Sequence, residues 1–124
     1  MKRVQSIARK TLRMILEASR DMYPREFGAI LRAEEGVITE LILVPGTVSG
    51  KRHAIFQLHT LPADFSVVGT VHSHPSGVPE PSDEDLALFN KFGGVHIIAG
   101  YPYNESTWAA WTNKGEPVTL KVVP

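Results

Sequence analysis

Val71-His72-Ser73-His74-Pro75-Ser76-Gly77-Val78-Pro79-Glu80-Pro81-Ser82-Asp83-Glu84-Asp85 reads as a strand end, a stiff turn and a helix start in immediate succession. His72 and His74 close an apolar, β-branched run, Phe65-Ser66-Val67-Val68-Gly69-Thr70-Val71, with the character of a buried strand. Side chains two residues apart in a strand lie on one face, so both imidazoles can reach a single ion. From Pro75 to Pro81 there are three prolines and one glycine, which can continue neither a strand nor a helix. Ser82 then opens a helical pattern, S-D-E-D-L-A-L-F-N-K-F, whose first turn carries Asp85. Asp85 can face the two histidines as a third ligand.

Two neutral imidazoles and a carboxylate form the three-protein-ligand set that, in zinc enzymes, leaves a fourth tetrahedral position for water. Zinc there acidifies its water and polarises a carbonyl, which suits peptide or amide hydrolysis. The same ligand types serve non-haem iron, so spacing leaves the metal open. Each residue also has a plainer reading. Ser82 and Asp85 have the S-x-x-D spacing of a capping box, with Asp in place of the usual Glu. Asp83 is a rival ligand, or simply complements the helix dipole. Glu80 and Glu84 read as solvated.

H-S-H-P, six residues, then S-x-x-D resembles the motif H-x-H-P-x6-S-x-x-D of the JAMM metalloproteases, the metal-binding branch of the MPN domains. The resemblance implies one Zn2+ per chain held by His72, His74 and Asp85, which favours Asp85 over Asp83. It implies that the Ser82 hydroxyl helps hold an oxyanion. The family also carries an upstream glutamate in a pattern such as P-x-E-x-x-G-x-L, which Pro24-Arg25-Glu26-Phe27-Gly28-Ala29-Ile30-Leu31 resembles. Glu26 is therefore the implied general base, passing a proton from water to the leaving amine. Ala29 stands where the family usually has glycine, and Gly28 comes one residue early.

By the same resemblance the substrate is a ubiquitin-like, β-grasp modifier whose C-terminal Gly-Gly is joined to a lysine ε-amine, or a linear fusion ending in that dipeptide. A peptidase that trims small Gly-Gly sulfur-carrier proteins would use the same site. A non-catalytic MPN scaffold for a partner protein is the alternative outside enzymes, although such scaffolds generally lose the metal ligands. RadC-type domains share the HPSG and PS-x-x-D pattern, but nothing here matches their DNA-associated segment. A zinc deaminase would need cysteines, and the chain has none.

The 124 residues suit one domain, residues 1–124, with a single core. Thirteen basic and thirteen acidic residues balance, so no global field recruits nucleic acid or an anionic membrane. Absence of cysteine excludes disulfides and thiolate catalysis and fits a reducing compartment. With no long apolar run or signal pattern, the expected location is the cytoplasm. Oligomeric state is not legible.

Val4, Ile7, Ala8, Thr11, Leu12, Ile15, Leu16 and Ser19 recur at helical spacing, with Lys and Arg on the other, solvated face, and predict an N-terminal amphipathic helix. Strands are expected at Glu26 to Arg32, Gly36 to Leu43, His53 to Leu58, Ser66 to His72, Val95 to Ala99, Thr107 to Thr112 and Val118 to Val122. A second helix is expected at Ser82 to Lys91, and Asn113-Lys114-Gly115 as a tight turn between the last two strands. This order gives an α/β or α+β chain. The family resemblance narrows it to a three-layer α/β fold, a mixed central sheet flanked by helices, similar to cytidine deaminases. His96 reads as a strand residue with a local hydrogen bond. Trp108, Trp111, Phe56 and Phe65 read as packing, with an aromatic near the cleft able to grip a peptide. His53 reads as part of a basic loop, His59 is uninformative, and substrate contacts are expected within Val44 to His53.

Overall fold

Alternation along the central strands sets the layers. The computed structural model describes residues 3–43 and 66–124. The expected strand at His53 to Leu58, together with His53, His59, Phe56, Phe65 and the segment Val44 to His53, lies outside these residues. The order along the chain is β1 (Ser6–Ala8), α1 (Arg9–Met22), β2 (Gly28–Glu34), β3 (Val37–Ile42) and β4 (Val67–His74), then α2 (Asp83–Phe92), β5 (Val95–Gly100), β6 (Trp108–Thr112), β7 (Pro117–Val118) and β8 (Lys121–Val123). The eight strands form one sheet in the order β7-β6-β5-β4-β2-β3-β1-β8. It is mixed: β4 runs parallel to β5, and β1 parallel to both β3 and β8, while the other pairs are antiparallel.

On one face Ala29, Leu31, Val71, Ile97 and Ala99 pack with Leu12, Ile15 and Leu16 of α1. On the other, Ile30 and Ile98 pack with Leu88 and Phe89 of α2. Neighbouring residues of one strand thus serve opposite layers, giving helix, sheet, helix. Each Leu or Ile side chain taken fully from water contributes about 1.5–3 kcal/mol, so these two apolar stripes hold both helices on the sheet. The exposed face of α1 carries Arg9, Lys10 and Arg13.

Two expectations are corrected at the ends of the chain. The amphipathic spacing from Val4 predicts helix, yet Ser6–Ala8 is strand and α1 begins only at Arg9. Ser6 and Ile7 pair with β3 on one side and β8 on the other, and that two-sided pairing overrides a periodicity that Ile7 and Ala8 satisfy equally well. No side chain caps α1, whose N-cap is Ala8, so the sequence carries no start signal there. Val118 to Val122 is not one strand either. β7 ends at Val118 on one edge of the sheet, and β8 begins at Lys121 on the other. Three residue steps span at most about 11 Å, so the sheet curls until its edges meet, with buried Leu120 at the crossing.

Close approach of β4 and β5 depends on Gly69, where an added Cβ would run into the Val95 carbonyl oxygen. Any side chain there would push the two strands apart.

A candidate metal centre at the end of the sheet

β4 is bonded on both sides, to β2 and to β5, and its last residues come out where the C-terminal end of β5 and the start of β2 also lie. His72 and His74, two residues apart, point to the α2 face and are 1% and 9% exposed. Ser73, between them, points the other way. Its hydroxyl accepts from the Phe27 N–H at 2.7 Å, and its own N–H donates to the Phe27 carbonyl at 2.9 Å. This extends the β2–β4 register, in which Gly28 faces His72, by one residue past the strand. Glu26 is the residue before Phe27, just ahead of β2.

The turn after His74 is tied down by main-chain bonds. The His74 carbonyl accepts from Gly77 N–H and from Tyr101 N–H, each at 3.1 Å. Gly77 has φ +89°, and an added Cβ on Gly100 would lie 2.7 Å from the Gly77 carbonyl oxygen, so the turn rests directly on the end of β5. Further on, the Val78 carbonyl lies 2.8 Å from His74 Nδ1. A carbonyl only accepts, so Nδ1 carries the proton, and Nε2 can present a lone pair to a metal or, in the protonated ring, a second N–H to Asp85. The Pro79 carbonyl accepts from Trp111 Nε1–H at 3.0 Å.

Ser82 is the N-cap of α2. Its hydroxyl accepts from Asp85 N–H at 3.2 Å, and its own N–H donates to Asp85 Oδ2 at 2.9 Å. The capping-box reading of Asp85 therefore holds, and it is compatible with the ligand reading. The cap fixes the buried carboxylate with one oxygen toward each histidine: Oδ1 lies 3.0 Å from His72 Nε2, and Oδ2 lies 2.9 Å from His74 Nε2. The two Nε2 atoms are 3.1 Å apart.

Burial pushes the Asp85 carboxyl upward. The hydrogen bonds from His72 and His74, the charge of His72 and the Ser82 N–H outweigh it and hold Asp85 well below the usual carboxylate range. One ligand atom from each of the three residues lies within 4.8 Å of the other two, close enough to converge on one ion with bonds of about 2.0–2.2 Å. His72, His74 and Asp85 together can hold a metal ion, and two imidazoles with one carboxylate fit zinc.

Asp83, the rival ligand, is exposed in the first turn of α2 and outside this group. Ser82 is exposed beside it. Its cap uses an oxygen lone pair, and the hydroxyl hydrogen can still donate. His96 is a buried strand residue with local bonds, as expected: Nδ1 lies 2.7 Å from Thr70 Oγ1 and Nε2 lies 2.7 Å from the Gly93 carbonyl. Sequence reasoning missed Ser73, Val78 and the Trp111 anchor. Ser73 was visible as the residue between two ligands, but the other contacts run through main-chain carbonyls, which leave no signature.

Comparison with known proteins follows this geometry. Residues 8–114 match the family described as prokaryotic homologs of the JAB domain. A Haloferax volcanii protein named "probable metalloprotease" is 41% identical over 130 residues, covering 97% of this chain and 80% of that protein. A crystal structure of a JAB1/MPN domain protein from Archaeoglobus fulgidus superposes with a TM-score of 0.80 at 43% identity, covering 97% of this chain and 100% of the other. A second solved structure, described as "JAMM: a metalloprotease-like zinc site in the proteasome and signalosome", has a TM-score of 0.78 at 41% identity and covers 98% and 99%.

Proposed function

We propose that this chain, which belongs to the prokaryotic homologs of the JAB domain, is a zinc-dependent metalloprotease acting on proteins modified by, or fused to, ubiquitin-like modifiers. The observation that carries the proteolytic reading is the buried group of His72, His74 and Asp85. Zinc, when bound, supplies Lewis-acid polarisation of the scissile carbonyl and a water acidified toward neutrality.

The chain's own residues supply the rest. Glu26, the base that the family resemblance implies, accepts a proton from the attacking water and returns it to the departing amine. The Ser82 hydroxyl hydrogen donates to the carbonyl oxygen as that atom gains charge. Asp85, clamped by its cap, holds the helix N-terminus and the ligand triangle in one rigid unit. Hydrogen-bonded strands on both sides of β4 fix His72 and His74, which keeps the reorganisation on reaction small.

The substrate class rests on the JAMM resemblance. We read the bond cut as the amide after a C-terminal Gly-Gly, joined either to a lysine ε-amine or to a following residue. The test is to incubate the zinc-loaded chain with an isopeptide-linked Gly-Gly conjugate and with a linear Gly-Gly fusion, and to weigh the products by mass spectrometry. Release of the modifier ending in Gly-Gly, stopped by chelator and restored by zinc, supports the isopeptidase reading. Cleavage of the linear fusion alone favours a trimming peptidase, and binding of modifier without cleavage favours a scaffold.

A further inference from the structure

The turn between the second histidine and the aspartate has a side-chain tether from outside its own segment, and that tether comes from the far side of β5. Trp111 lies on β6, which pairs with β5 on the side away from β4. Its ring packs beside the α2-face cluster of Ile30, Leu88, Phe89 and Ile98, and its Nε1–H reaches the Pro79 carbonyl at 3.0 Å. The preceding carbonyl, Val78, accepts from Nδ1 of His74 at 2.8 Å. Val78 is itself 51% exposed, so its own side chain does not anchor the carbonyl. Pro79 and Pro81 stiffen the stretch from this carbonyl to Ser82, whose N–H holds Asp85.

We infer that Trp111 is a positioning residue for the metal centre: by holding Pro79 it sets the Val78 carbonyl that orients His74, and through the proline stretch it sets Ser82 and hence Asp85. This rests on the zinc reading above and assigns Trp111 a part in it beyond packing. The physical basis is general. A carbonyl bonded to the far nitrogen of a ligating imidazole fixes the tautomer and ring direction, and loss of such a partner typically weakens metal binding by about ten- to a hundredfold. Trp111 acts one bond further out, so the expected effect is at the lower end.

The test compares zinc affinity of the wild-type chain and Trp111→Phe by competition with a chromophoric chelator, alongside the melting temperature of the metal-free forms. Phenylalanine keeps the aromatic packing and removes the N–H donor. The expected result is a zinc dissociation constant raised about tenfold, with metal-free melting temperatures within a few degrees of each other. Equal affinities would overturn the inference. Should Trp111→Phe fail to fold, the wild-type indole resonances decide. The chain has two tryptophans, and Trp108 serves as the control because it packs with the α1-face cluster. The Trp111 N–H signal is expected to move on zinc addition while that of Trp108 stays; a Trp111 signal indifferent to zinc overturns the inference. A wild-type chain that takes up no zinc overturns it together with the proposed function. Zinc uptake without proteolysis overturns only the proteolytic reading.

Discussion

Ser82 and Asp85 cap each other: the Ser82 N–H donates to Asp85 Oδ2 at 2.9 Å, and the Asp85 N–H donates to Ser82 Oγ at 3.2 Å. The same Oδ2 lies 2.9 Å from His74 Nε2. One local sequence rule, serine three residues before an acid, thus starts a helix and aims a metal ligand. This is why the carboxylate can be fully buried in a first helical turn that also contains exposed Asp83 and Glu84.

Ser82→Ala separates the two uses of the hydroxyl. Loss of the cap costs about 1 kcal/mol of stability, read by urea denaturation of the metal-free chain. Loss of the donor toward the substrate oxygen lowers kcat by about a hundredfold or more. Zinc stoichiometry stays at the wild-type value, because the Ser82 N–H that holds Asp85 belongs to the main chain. A variant that loses stability alone would assign Ser82 to the cap only.

Gly100→Ala tests the seat of the turn. The new Cβ would meet the Gly77 carbonyl oxygen at 2.7 Å and the Thr107 carbonyl oxygen at 3.2 Å, both main-chain atoms. Overpacking of this kind costs about 1–3 kcal/mol, and here it pushes on the turn whose His74 and Val78 carbonyls frame the ligand. Weaker zinc binding should accompany the loss. Gly93→Ala is the comparison, since Gly93 has φ +82° but open space around its missing Cβ. With ψ 178° the position is essentially glycine-only, so the change should cost about 1–3 kcal/mol from the backbone conformation alone and leave zinc affinity unchanged. Equal zinc affinity in both variants would show that the turn does not bear on the ligands.

His96 gives the metal-free chain a pH dependence. Burial pushes its pKa down from 6.5 to about 4; the Gly93 carbonyl partly opposes this and the charge of His72 adds to it. The folded pKa is below the unfolded one, so as pH falls the unfolded chain takes up the proton first. The stability from keeping His96 neutral is complete above about pH 6.5 and is lost as pH falls toward about 4, on the order of 3 kcal/mol in all and about 2 kcal/mol of it between pH 7 and 4.5. Unfolding free energies of chelator-treated wild type and His96→Leu at pH 7 and 4.5 measure this. The wild type should lose more by about that amount, whereas parallel losses would contradict the assignment.

The site was more legible than the sheet. His72, His74, Ser82 and Asp85 fall within one short stretch governed by local rules, strand alternation, proline stiffness and helix capping, so their convergence could be read directly. Glu26 could not be chosen from its surroundings, because it lies far from the histidines in the chain and carries no local signal; the resemblance alone singled it out. The β1 strand and the break between β7 and β8 were illegible for a related reason. Ser6–Ala8 becomes strand through partners some thirty and more than a hundred residues away, and the Val118 to Lys121 crossing follows from a curl that no local pattern encodes. Trp111 looked like packing because its contact is with a main-chain oxygen.

Glu26→Gln, assayed for cleavage of a Gly-Gly isopeptide conjugate with zinc content measured on the same sample, tests the central claim most directly. Glutamine keeps the shape and cannot take the proton, so the account predicts wild-type zinc content with cleavage reduced by about a hundredfold or more. Full cleavage by zinc-loaded Glu26→Gln would contradict it.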